Sequence, residues 1–165
     1  MPENSENKLH KIAILLGANG GNEESFLDFA AEKLRAAGMK NIRRSTVYRT
    51  APINCVPGTP DFFNQALTGE WEKSAVQLLS LTQSIELAAG RPVDHASNEA
   101  RVLDCDIILF DESVVDLPQL QIPHPRAKSR AFVLIPLAEI AGNWRFPDGE
   151  SVAEAAEKVT FPTGN

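Results

Sequence analysis

The residues best equipped for chemistry lie in the segment Arg101-Val-Leu-Asp104-Cys-Asp106-Ile-Ile-Leu-Phe110. On a strand, alternate side chains share a face, so Asp104 and Asp106 fall together while Leu103, Cys105, Ile107 and Leu109 take the other side. At a rise of roughly 3.3 Å per residue, their Cα atoms stand about 6–7 Å apart. Two carboxylates that close repel each other unless a cation lies between them. Hard oxygen ligands in that arrangement suit Mg²⁺, which keeps several waters and bridges to phosphates. The alternative is a solvated strand face that carries two acids. Arg91 and Arg101 bracket a polar stretch ending beside the pair, and His124, Arg126, Lys128 and Arg130 follow in IPHPRAKSR. Guanidinium groups near a metal offset negative charge on transferring and leaving oxygens, as phosphoryl transfer requires. Taken singly, each arginine reads as a solvent-facing charge, and His124 as a side chain packed beside a proline.

Other chemistries find less support. There is no G-x-x-x-x-G-K-[ST] loop, and Gly17-Ala-Asn-Gly-Gly-Asn22 follows a strand but lacks the lysine, so it reads as a turn needing positive φ. His10, His95 and His124 do not combine with Cys55 and Cys105 at zinc spacing. Cys105 points away from the acids, and Cys55 has no base nearby in sequence.

The elements that must position these groups follow from pattern and composition. The chain has 165 residues, 43% hydrophobic and 23% charged, as expected of one globular domain over residues 9–161 with flexible termini at 1–8 and 162–165. Sixteen basic against 22 acidic residues give a formal charge of −6, which disfavours a general nucleic-acid binder but leaves room for a local anion site. Two widely separated cysteines, a polar N-terminal stretch and no long apolar run point to a reduced cytoplasmic protein outside the membrane. Ile12 to Leu16, ended by Gly17, reads as a strand buried on both faces. A helix capped by Asn22 runs to Gly38, and Ile42 to Thr50 reads as one strand. Phe62 to Trp71 is a strand, Ser74 and Gln77 form a capping box for a helix ending at Gly90, and Val102 to Phe110 is a strand that turns at Asp111-Glu112. A helix over Lys128 to Ala141, kinked or divided at Pro136, precedes a short one capped by Ser151 and Glu154. The order predicts an α+β, ferredoxin-like βαββαβ sandwich with a C-terminal helical extension.

Several blocks in this order carry a resemblance: Tyr48-Arg-Thr50-Ala-Pro52, Phe62-Phe-Asn64, Gln83-Ser-Ile-Glu86, Gly90-Arg91, Arg101-x-x-Asp104-x-Asp106, Pro123-His124-Pro125 and Arg130-x-Phe132. From about Ile12 to Gly149 the chain resembles 6-hydroxymethyl-7,8-dihydropterin pyrophosphokinase, the folate-pathway enzyme that moves pyrophosphate from ATP to a pterin alcohol. The resemblance implies that Asp104 and Asp106 hold two Mg²⁺ ions arriving mainly with ATP, and that Arg91 and Arg101 contact phosphates. With the acids, these arginines form the implied catalytic set. It further implies that Gln83, Glu86, Ile107, His124 and Arg130 line the nucleotide, while Thr50, Ile53 and Asn64 surround the pterin. Phe62 and Phe132 would sandwich the ring, where ordinary core packing is the alternative. In-line attack by the hydroxymethyl oxygen on the β-phosphorus of ATP, with AMP leaving, is the implied reaction. A monomer with small-molecule partners is expected.

Departures from the family pattern cluster in the 91–101 stretch, where Pro-Val-Asp-His-Ala-Ser-Asn-Glu-Ala lacks Lys, Arg and Trp between the two arginines. Glu99-Ala100 replaces the usual Gly-Pro, and Gln119 and Gln121 stand where well-known members carry Arg and Thr. Each lost charge-assisted phosphate contact costs about 1–3 kcal/mol. The expectation is therefore a working enzyme, slower or closing its loop differently, with a catalytically weakened binding module of the same fold as the alternative.

Overall fold

The computed structural model describes residues 8–51, 57–58, 61–90 and 102–161. Its elements are β1 (His10–Ala18), α1 (Glu23–Ala36), β2 (Lys40–Arg44), β3 (Tyr48–Thr50), β4 (Phe62–Trp71), α2 (Ala75–Ala88), β5 (Leu103–Phe110), β6 (Val115–Leu117), β7 (Leu120–Ile122), α3 (Ala131–Ala141) and α4 (Val152–Ala156). The main sheet is antiparallel in the order β2-β4-β1-β5, with β3 also paired to β4, and β6-β7 form a separate hairpin. This is the expected split βαβ order of the ferredoxin-like sandwich, with α3 and α4 as its extension.

The apolar run in β1 explains the layers. Ile12, Ile14 and Leu16 belong to a core with Leu27 and Leu34 of α1, Leu78 and Ile85 of α2, and Leu103 of β5. Ala13 and Leu15 belong to a second core with Ala66, Ile108, Leu109, Val133, Leu134 and Phe146. A central strand must be apolar on both sides when helices cover both faces, and β1 is buried from Ile12 to Leu16.

Several local expectations change. Gly17 lies inside β1 rather than in the turn; Gly20 and Gly21, with φ of 100° and 123°, make that turn. Asn22 makes no side-chain cap on α1; instead the Glu23 carboxylate accepts the Gly21 N–H at 2.9 Å. The expected single strand from Ile42 to Thr50 is split, because the Ser45 hydroxyl takes the Ala66 N–H at 2.9 Å in place of a ladder carbonyl. The final long helix begins as a separate 3₁₀ turn over Ala127–Ser129, breaks at Arg130, and then runs through Pro136. A register shift between Ala13 and Ile14 moves Leu109 onto the second core, so it leaves the face of Cys105.

Candidate functional site

The α3 face of the sheet collects most of the described chemistry. Register places Asn64, Gly17 and Asp104 side by side across β4, β1 and β5, and Ala66, Leu15 and Asp106 in the next row on the same face. Phe62 precedes Asn64 by two residues on β4 and pairs with Thr50, and Tyr48 pairs with Asn64. Asn64 is buried, and its Nδ2 donates to Thr50 Oγ1 at 3.0 Å. Its Oδ1 lies over Gly17, 3.4 Å from where a Cβ would stand. Glycine at this strand position leaves that space to the asparagine. Phe132, near the start of α3, packs half-buried against the core of this face, with the Arg130 guanidinium 5.4 Å from its ring centroid.

His124 is placed by its backbone, whose N–H donates to the Ile108 carbonyl of β5 at 3.4 Å. Its Nδ1 accepts the Arg126 N–H at 3.2 Å, which leaves Nε2 to carry the proton in the neutral ring. Burial lowers the His124 pKa; Asp106 pulls it up, and Arg130 and Arg126 push it down. Those interactions place the imidazole among Asp106, Arg126 and Arg130. Lys128 turns elsewhere: its ammonium pairs with Asp148 and, at 2.8 Å, with Glu150, and their hydrogen bonds raise its pKa. It is thereby subtracted from the basic cluster.

Other candidates sit on the opposite face. Ile107 is buried in the α1/α2 core, so only its backbone borders the acids. Gln83 is exposed on α2. Glu86, also on α2, is buried, and its carboxylate accepts the Cys105 N–H at 2.8 Å. Because β5 is an edge strand, this bond ties an outward N–H to the helix layer and so holds the strand bearing both acids. Burial drives the Cys105 thiol well above its ordinary pKa, with Glu86, Asp104 and Asp106 adding to the effect, which keeps it a thiol rather than a thiolate nucleophile near neutral pH. Ile53, Arg91 and Arg101, with the rest of the 91–101 stretch, lie outside the described residues.

Two grooves lie apart from the acid pair. One of about 340 Å³ is lined by Arg44, Asp28 and Gln65, and Arg44 pairs with Asp28 at 2.7 Å. Another of about 390 Å³ lies beside Lys11 and Trp144, with the Lys11 ammonium 4.7 Å from a Trp144 ring centroid. Two features of the α3 face went unread in the sequence: the Asn64–Gly17–Asp104 row, and Asn19 just beyond β1. Counting by twos from Leu15 through Gly17 to Asn19 would have found the second, whereas the row depends on strand register.

Two carboxylates two residues apart on an edge strand, with an imidazole and a guanidinium opposite and a half-buried aromatic alongside, suit a phosphate-bearing ligand with its cation. Comparison with known proteins agrees. The chain matches the family described as 7,8-dihydro-6-hydroxymethylpterin-pyrophosphokinase (HPPK) over residues 13–142. It is 38% identical to the 2-amino-4-hydroxy-6-hydroxymethyldihydropteridine pyrophosphokinase of Methylorubrum extorquens, covering 90% of this chain and 92% of that protein. Identity to the Pseudomonas aeruginosa protein of the same name is 33%, covering 93% and 94%. The folic acid synthesis protein fol1 of Pneumocystis carinii is 34% identical over 94% of this chain, which spans only 21% of that longer protein. The crystal structure of wild-type Plasmodium falciparum HPPK-DHPS with pteroate superposes with a TM-score of 0.70 at 13% identity, covering 92% of this chain and 42% of that one, and shares the fold. A family match across most of the chain, on a ferredoxin-like sheet with its acid pair in register, makes this protein a member of the 6-hydroxymethyl-7,8-dihydropterin pyrophosphokinase family.

Proposed function

We infer that the chain transfers pyrophosphate from ATP to the hydroxymethyl oxygen of 6-hydroxymethyl-7,8-dihydropterin, giving AMP and the pterin diphosphate in folate biosynthesis. The observation that carries this reading is the shared face of Asp104, Asp106, Asn64 and Phe62, fixed by strand register in a chain of this family. Asp104 and Asp106 fit Mg²⁺ by donor chemistry, being hard oxygens at the spacing of one strand repeat. The reading takes two such ions, arriving mainly with the nucleotide, because two carboxylates alone leave most of the coordination of Mg²⁺ to water and phosphate oxygens. When bound, Mg²⁺ supplies charge neutralisation on the phosphate oxygens.

The chain's own side chains supply the rest. Asn64 and Thr50 present a donor and acceptors at the ring edge, and Phe62 and Phe132 offer apolar faces for stacking. His124 donates from Nε2, and Arg130 holds positive charge beside it. Arg91 and Arg101 are proposed to offset charge on the bridging oxygen as the α–β bond breaks. Gln83 lines the nucleotide from α2, while Glu86 acts through its hold on β5. The acid pair on the pterin face favours catalysis over a binding-only module. Product analysis with labelled ATP is the test: AMP forms with Mg²⁺ and pterin present, and Asp104→Ala or Asp106→Ala slows it at least about 100-fold, the scale of one lost transition-state charge contact. Formation of ADP, metal-independent turnover, or near wild-type rates in both variants would refute the assignment.

A further inference from the structure

Asn19 stands one residue past β1, and alternation from Leu15 and Gly17 puts its side chain on the α3 face. Its backbone N–H donates to the Val102 carbonyl at 3.3 Å, carrying the ladder with β5 one step beyond the Ala18–Leu103 pair. On the other side Ala18 pairs with Phe63, so Asn19 is level with Phe62. The residue is 1% exposed, and neither its Nδ2 nor its Oδ1 has a hydrogen-bond partner. Among the described residues no other buried side-chain polar atom is left in this state. Asn64, the second amide on the face, is bonded to Thr50.

A buried carboxamide with both ends unpaired destabilises the free protein, and an apolar side chain of the same size would avoid that cost. We propose that Asn19 is a specificity-determining contact for the pterin heterocycle: once substrate displaces what covers it, the carboxamide pairs with a neighbouring N–H and acceptor on the ring edge. The inference rests on the pyrophosphokinase reading and adds one residue to its substrate contacts. A dihydropterin carries N–H groups beside ring nitrogens and a carbonyl, the complement of one amide. Because both amide atoms are unpaired beforehand, binding breaks no existing bond at this residue. A ring lacking those atoms leaves the amide unpaired and is rejected.

The test is Asn19→Leu, which nearly preserves volume and removes both polar atoms. The expected result is a melting temperature equal to or above wild type, with pterin affinity by calorimetry lowered at least about tenfold, the value of one net hydrogen bond. Affinity for a non-hydrolysable ATP analogue stays unchanged, so KM for pterin rises while KM for ATP does not. Unchanged pterin affinity would overturn the proposal, as would a parallel loss for pterin and nucleotide. Should Asn19→Leu fail to fold, Asn19→Ala is read by the same criteria. Wild-type protein that binds pterin but releases no AMP refutes the function and leaves this contact standing. Wild type that releases AMP, with Asn19→Leu binding pterin normally, refutes the contact alone.

Discussion

Glu139 of α3 shows how one carboxylate outside the reacting groups shapes their surroundings. It accepts the Thr46 N–H at 3.0 Å, the Thr46 hydroxyl at 2.9 Å and the Tyr48 hydroxyl at 2.8 Å. Tyr48 is the cross-strand partner of Asn64, so this knot fixes the β3 side of the site to α3. Burial raises the Glu139 pKa, but the bonds from Thr46 and Tyr48 outweigh it and hold the group below the ordinary 4.5. A folded-state pKa below the unfolded one contributes stability above pH 4.5, and that stability is lost as pH falls through the folded value. Glu139→Gln should therefore lower stability by about 1 kcal/mol near neutrality, the scale of an exposed hydrogen-bonded charge. Thermal melts from pH 7 down to pH 3 check this: the gap to wild type should close at the acid end, and a constant gap would contradict it. At this scale the placement of Asp104 and Asp106 was legible, because alternation alone puts i and i+2 on one face. Leu109 was misplaced because a β-bulge resets alternation and leaves no mark in residue types.

Capping boxes were the most legible features at the level of elements. Ser74 with Gln77 and Ser151 with Glu154 both make the reciprocal bonds expected of them. Ser74→Ala removes the bond from the Gln77 N–H at 3.1 Å but leaves the Ser74 carbonyl that accepts from Trp71 Nε1. The expected loss is about 1 kcal/mol, seen as a lower urea midpoint at unchanged slope. A changed slope would mean that the cap governs more than the end of α2. The β6–β7 hairpin was not anticipated, since strands of three residues are too short to display a period. Likewise, the break at Arg130 depends on the extended backbone entering α3, whereas Pro136 only removes the bond that would reach the Phe132 carbonyl.

Across the whole molecule, the unbroken apolar run in β1 announced a strand buried on both faces, and the two cores on either side of it bear that out. The sequence showed less of what lies between strands: which residues of β4 and β5 stand beside Gly17 depends on register, which no local pattern encodes. That register brings acids, amide and aromatics from separate segments onto one face, leaving Glu86 to brace the edge strand from behind. This face is therefore the proposed seat of a nucleotide's cations, at Asp104 and Asp106, with the pterin alongside. The most direct test is a crystal structure with Mn²⁺, a non-hydrolysable ATP analogue and the pterin, read by anomalous scattering. Manganese peaks bonded to both carboxylates are expected, with the ring between Phe62 and Phe132 and Asn64 at its edge. Peaks on another face, or nucleotide bound with both acids uncoordinated, would contradict this placement.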